Sequence, residues 1–157
     1  METHTSRPKP RTVAVSGGFD PLHVGHVRLF NEARKLGDEL VVILNNDHWL
    51  TAKKGYVFMK QDERKEIIEA LASVSRVVIT DHPAQPDDMS VCAILETLRP
   101  DIFANGGDRK IDNTPEEELC KKIGIKTVYN IGVGGKVQSS SDLVRNAKEA
   151  KGTHKHI

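Results

Sequence analysis

The sequence predicts an α/β fold, a Rossmann-like three-layer sandwich built on a central parallel sheet. Short aliphatic runs alternate with longer amphipathic segments along almost all of the 157 residues. The aliphatic runs are continuous, as strands covered on both faces are. Glycines or polar residues follow the runs, so the chemistry-bearing turns fall at the carboxyl ends of strands, where such sheets bind ligands.

The length suits one compact core. The polar start with Pro8 and Pro10 reads as a loose arm over residues 1–11, the domain as residues 12–148, and KGTHKHI as part of a frayed tail over 149–157. TVAVSGG, from Thr12 to Gly18, reads as the first strand ending in a flexible turn. VGHVRLFNEARKLGD follows as a helix, with Val27, Phe30, Ala33 and Leu36 at helical spacing and Gly37 as its stop. Glu39 to Leu44 is the second strand, and Asn45 to Lys54 reads as a polar loop. A helix is expected from Asp62, capped by that residue, with Ile67, Leu71 and Val74 inward; in the plainest account Glu63 and Arg64 are solvated. RVVIT is a strand, SVCAILETLRPD a helix stopped near Pro100, and DIFA a short strand before the turn NGGD. PEEELCKKIG has the proline-first, glycine-last polarity of a helix. KTVYNIG is the last strand and SSSDLVRNAKEA the last helix.

Composition excludes several classes. Lys and Arg total 23 against 22 Asp and Glu, a net charge of +1, so no broad basic field is available and no nucleic-acid partner is expected. The chain has no apolar run of membrane-spanning length, and METHTSRPKPR lacks the hydrophobic middle of a secretion signal. A cytoplasmic protein without a membrane partner is expected. Cys92 and Cys120 form no CxxC pair and read as reduced thiols. A dinucleotide-dependent oxidoreductase would need a GxGxxG loop after the first strand, and none is there.

The richest segment is SGGFDPLHVGH. His23 and His26 stand three residues apart at a helix start, on one side of the turn. Gly25 between them lets an anion approach the backbone, and the amides of the helix start attract negative charge. Phosphate handling is one reading; a cap with a surface histidine is another, and a metal site in which Asp20 joins the two imidazoles is a third.

GGFDPLHVGH, followed in order by ARKLGDELVVILNND, KKGY, DERKEIIEAL, NGGD and QSSSDLV, resembles the HxGH-motif nucleotidyltransferase superfamily. That superfamily includes glycerol-3-phosphate cytidylyltransferase, heptose-phosphate adenylyltransferase and phosphopantetheine adenylyltransferase. The resemblance implies transfer of a nucleoside monophosphate from CTP or ATP to a small sugar or polyol phosphate, with release of pyrophosphate. It implies His23, His26 and Lys54 as catalytic residues. It places Gly18, Phe19, Asp20, Gly25, Asp47, Lys53, Arg64, Gly106, Gly107, Asp108, Ser139, Ser140 and Ser141 at the nucleotide or the acceptor. Arg64 would face the phosphates or organise the lysine segment. Mg2+ would be held mainly by the triphosphate, with no direct protein ligand, and the enzyme would be a homodimer.

Where cytidylyltransferases for glycerol or choline phosphate carry Arg-Thr-Glu-Gly before the hydroxyl run, this chain has GGKVQ, and Lys136 cannot reproduce an arginine fork. The GGD turn is similar to heptose-phosphate adenylyltransferases and KKGY to cytidylyltransferases, which leaves the base open. Two alternatives stand beside the main reading: adenylylation of a cofactor precursor such as flavin mononucleotide or phosphopantetheine, and a nucleotide-binding regulatory protein without turnover. Trp49 could cover an acceptor or pack at a dimer edge. His4, His82, His154 and His156 lie in no motif, and replacing His82 is expected to matter little.

Overall fold

The computed structural model describes residues 9–106, 114–132 and 143–149. Five parallel strands form one sheet in the order β3-β2-β1-β4-β5: β1 (Thr12–Gly17), β2 (Glu39–Leu44), β3 (Arg76–Ile79), β4 (Ile102–Gly106) and β5 (Lys126–Ile131). Helices α1 (Val24–Arg34), α2 (Asp47–Lys54), α3 (Gln61–Glu69), α4 (Cys92–Leu98) and α5 (Pro115–Ile123) connect them, and a further helical stretch covers 143–149. The expected α/β sandwich is therefore present.

The central strands explain the layering. Val13 and Val15 of β1 and Leu40, Val42 and Leu44 of β2 pack on one side with Phe30 and Ala33 of α1 and Ile68 of α3. Ala14, Ile43 and Phe103 point the other way, to Leu95 of α4 and Cys120 of α5. Successive strand residues serve opposite faces, which is why β2 is apolar and buried at every position after Glu39.

Strand order runs outward in both directions from β1 and β4. The chain leaves β1 toward one side of the sheet and β4 toward the other, opening a crevice beyond their carboxyl ends. The turn after β1, with its two histidines, and Gly106 at the end of β4 lie on that crevice.

Three local expectations are corrected. The polar loop after β2 is largely helix α2: Asn46 caps it by accepting the Trp49 N–H at 2.9 Å, and Gly55 ends it in the left-handed region at φ +84°. Eight residues with only Leu50 fully inside give too little apolar repeat to reveal a helix. Helix α3 begins one residue before Asp62, after Lys60, with no side-chain cap, and it ends at Glu69. Its inner residues are Arg64 and Ile68, whereas Ile67 is exposed; Leu71 and Val74 reach the core from the turn beyond the helix. Gly37 does not cap α1, which closes at Lys35 in ordinary helical geometry. It is needed because a Cβ there would lie 2.7 Å from the Arg11 carbonyl oxygen.

Candidate active site

The site begins with the chain reversal after β1. Gly18 packs so tightly under α2 that a Cβ would meet Leu50 at 2.8 Å and Trp49 at 3.2 Å. Phe19 adopts φ +49°, a strained value for a side-chain-bearing residue, and is held there by its buried ring. That ring stands edge-on to His26 at 4.9 Å and to Phe30 at 5.1 Å between centroids, so it braces the second histidine from the core side.

His23 is the N-cap of α1. Its Nδ1 accepts the Gly25 N–H at 3.0 Å, while the Nδ1 of His26 accepts the His23 N–H at 3.3 Å. Each imidazole therefore spends its lone pair on a backbone donor and, when neutral, must carry its proton on Nε2. The rings stack 3.8 Å apart at 25°. Burial pushes His26 down to about 3, assisted by the neighbouring His23 and Lys54, and burial also lowers His23. At neutral pH the pair is thus two uncharged N–H donors. The Gly25 N–H, expected to face an anion, is occupied by the cap.

Lys54, in the last turn of α2, brings its Nζ to 3.3 Å from the Asp20 carbonyl oxygen. Burial lowers its pKa, the Asp20 carboxylate opposes that, and Arg64 reinforces it. Lys53 is exposed. Two donors of neutral character beside one cation suit an anion with several oxygens, and phosphate fits that description.

The Asp20 carboxylate does not join the histidines. It is fully buried, and its two oxygens accept the Phe58 and Met59 N–H groups, each at 2.6 Å. Arg64 is also fully buried, contrary to the solvated account. Its Nη1 donates to the Gly18 oxygen at 2.7 Å and the Asn45 oxygen at 2.8 Å, its Nε to the Met59 oxygen at 2.8 Å, and its Nη2 to Asp47 Oδ1 at 2.6 Å. Asp20 and Arg64 thus fix the frame around the donors, and Asp47, about a third exposed, joins it through one carboxylate oxygen. Gly107, Asp108, Ser139, Ser140, Ser141 and Lys136 lie outside the described residues.

Residues 14–146 match the family described as Cytidylyltransferase-like. The chain belongs to that family. It is a nucleotidyltransferase. Among similar proteins, the FAD synthase of Aciduliprofundum boonei is 43% identical over 114 residues, covering 73% of this chain and 72% of its own. The bifunctional protein HldE of Gluconobacter oxydans is 35% identical over 142 residues, 89% of this chain but 28% of that longer protein. A crystal structure of a lipopolysaccharide core biosynthesis protein from Thermoplasma volcanium superposes with TM-score 0.63 at 30% identity, covering 78% of this chain and 97% of that one.

Two buried polar groups of this nucleotidyltransferase were not legible in the sequence. His82, expected to be dispensable, is buried: its Nδ1 lies 2.8 Å from Thr80 Oγ1, its Nε2 3.1 Å from the Ser90 oxygen, and its carbonyl accepts Asn46 Nδ2 at 2.9 Å. With Trp49, whose Nε1 donates to the Met89 oxygen at 2.8 Å, it ties the 81–91 segment to the start of α2. Replacing it breaks a buried network, so it is not an inert control. Asn45 is buried at the end of β2, and among the described residues its Oδ1 has no donor. Such an acceptor at the rim is a candidate ligand contact, and the Asn-Asn-Asp run was its only sequence signal. For the Mg2+ implied by the family resemblance, the described residues offer no group of three or more His, Cys, Asp or Glu, and both carboxylate oxygens of Asp20 are taken by backbone amides.

Two outcomes follow from this geometry. Lysine cannot span the four acceptors of Arg64, so Arg64→Lys should cost about 3 kcal/mol or more of unfolding free energy in urea and weaken triphosphate binding by freeing α2. Wild-type stability and affinity in that variant would refute the bracing role. The folded His26 value lies below 6.5, so the unfolded chain binds more protons between pH 6.5 and about 3. The His26 contribution is complete above that window and is lost as pH falls through it. Glutamine preserves the capping geometry without titrating. Going from pH 7 to 5 should therefore cost the wild type about 2 kcal/mol more than His26→Gln, and equal losses in urea titrations would contradict it.

Proposed function

We propose that this chain transfers the adenylyl group of ATP to flavin mononucleotide, producing FAD and pyrophosphate. The observation that supports the acceptor most directly is the match to an FAD synthase over nearly three-quarters of both chains, which makes the two proteins comparable as whole units. In this reading a phosphate oxygen of the flavin nucleotide attacks the α-phosphorus of ATP. The new P–O bond forms as the bond to the pyrophosphate oxygen breaks. No enzyme nucleophile is needed.

His23 and His26 supply Nε2–H donors to the phosphate oxygens as charge shifts toward the leaving group, and Lys54 supplies the positive charge. Their neutrality lets the imidazoles stack without repulsion and keeps each cap bond intact. Lys53, Gly106, Gly107, Asp108 and the Ser139–Ser141 run are assigned to the nucleotide or the acceptor on the family pattern. Mg2+ accompanies ATP as part of the substrate and partly neutralises the triphosphate. The second reading, a sugar phosphate acceptor, is favoured by the HldE match, which covers more of this chain.

A panel pairing ATP or CTP with flavin mononucleotide, sugar phosphates and polyol phosphates tests the proposal through pyrophosphate release. ATP with flavin mononucleotide should turn over fastest and yield FAD. Release only with a sugar phosphate would establish the second reading, and tight triphosphate binding without acceptor-dependent turnover would establish a regulatory protein. With the preferred pair, His26→Ala should lower kcat by about a hundredfold while ATP affinity changes little, because its donor matters most in the transition state. An unchanged kcat with raised KM would make His26 a ground-state binding residue.

A further inference from the structure

The chain has four phenylalanines, two tyrosines and one tryptophan. Phe19, Phe30 and Phe103 are buried in the core. Trp49 is half-buried and fastened through Nε1 to the Met89 oxygen. Tyr56 is half-buried, with the Lys148 ammonium 5.8 Å from its ring centre, and Tyr129 is half-buried on β5. Phe58 alone among the aromatic residues is exposed, at 58%.

An exposed phenyl ring on a loose loop would need no explanation. Phe58 is not on one. Its N–H donates to the buried Asp20 carboxylate, the next N–H does the same, and the Met59 carbonyl is held by buried Arg64. The backbone is therefore locked on both sides of the ring. The anchor, Asp20, also receives Lys54 on its carbonyl and stands three residues before His23. Val24, between the histidines, is another exposed large apolar residue, at 45%. Two of the three exposed large hydrophobic side chains among the described residues thus flank the phosphate-binding donors, one by chain and one by hydrogen bond.

We infer that Phe58 is a specificity-determining residue, the apolar surface on which the flat ring system of the acceptor rests while its phosphate reaches Lys54 and the histidines. This rests on the flavin reading above. A flavin nucleotide joins a dianionic phosphate to a fused aromatic ring through a flexible polyol chain. It therefore calls for cationic and N–H groups at one end and a rigid apolar plane at the other. A sugar phosphate has no fused aromatic ring to lay on a phenyl ring and would gain less from one in that place.

The experiment compares wild type, Phe58→Ala and Phe58→Trp with ATP and flavin mononucleotide, using riboflavin, which lacks the phosphate, as a competitive inhibitor. Phe58 is exposed, so the variants should fold, which thermal melting checks. Phe58→Ala should raise KM for flavin mononucleotide about tenfold and weaken riboflavin inhibition by a similar factor, with kcat and the KM for ATP within about twofold. Phe58→Trp should retain or improve both flavin constants. FAD formation with unchanged flavin constants in Phe58→Ala would overturn the inference and leave the flavin reading standing. Absence of FAD formation by the wild type would overturn both. A change of sedimentation coefficient in Phe58→Ala, with the KM for ATP moving together with that for the flavin, would assign the ring to contact with a second copy of the chain instead.

Discussion

A single buried guanidinium holds the rim of the sheet together. Arg64 lies on the inner face of α3, and its four hydrogen bonds end on the turn after β1, the end of β2, the first turn of α2 and the 55–60 connection. A buried cation is tolerable only when its donors are matched and a counter-charge is near, and Asp47 at 2.6 Å supplies that charge. The planar fork matters as much as the charge. It binds backbone carbonyls that neighbouring strands present at their ends, which the sheet itself leaves unpaired.

Asp20 does the converse with anionic oxygens, collecting the two amides of the connection that Arg64 grips by its carbonyl. The two buried charges share one short segment of backbone, so the position of Lys54 and the exposure of Phe58 are set by residues that themselves touch no solvent. This separates the framework from the contact groups. The framework is charged and hydrogen-bonded within itself; on the proposed reading the contact groups are neutral imidazoles and one partly buried ammonium.

The histidine pair shows why a donor need not be charged. Backbone N–H groups occupy both Nδ1 atoms, and a proton added there would displace a helix-capping bond while placing like charge beside the stacked ring and Lys54. Remaining neutral keeps the cap, the stack and the outward Nε2–H together. The same fold serves different acceptors in different relatives, as a common scaffold does when the acceptor is chosen by loops around fixed chemistry. On the reading proposed above, the 55–60 connection is such a loop here.

Much of this was determined by the sequence alone. The bounds of β2, the start of β1, the proline-first helix α5 and the place of the histidine pair at the start of α1 follow from aliphatic runs, glycine punctuation and a three-residue histidine spacing, all of which are local. The family followed from the order of its motifs and is carried by the match over residues 14–146. Tertiary structure decided what depended on partners distant in sequence. DERKEII has the composition of a solvated helix face, and only the convergence of Gly18, Asn45, Asp47 and Met59 around it turns Arg64 inward. Helix α2 was hidden because it is short and its cap and hydrophobic contact come from the strand end and the β1 turn. Asp20 looked like a ligand group because a carboxylate beside two histidines invites that reading. Its oxygens went to amides 38 and 39 residues away, a pairing that no local spacing encodes, because the order of strands in the sheet, and not sequence distance, decides which connections meet at its rim.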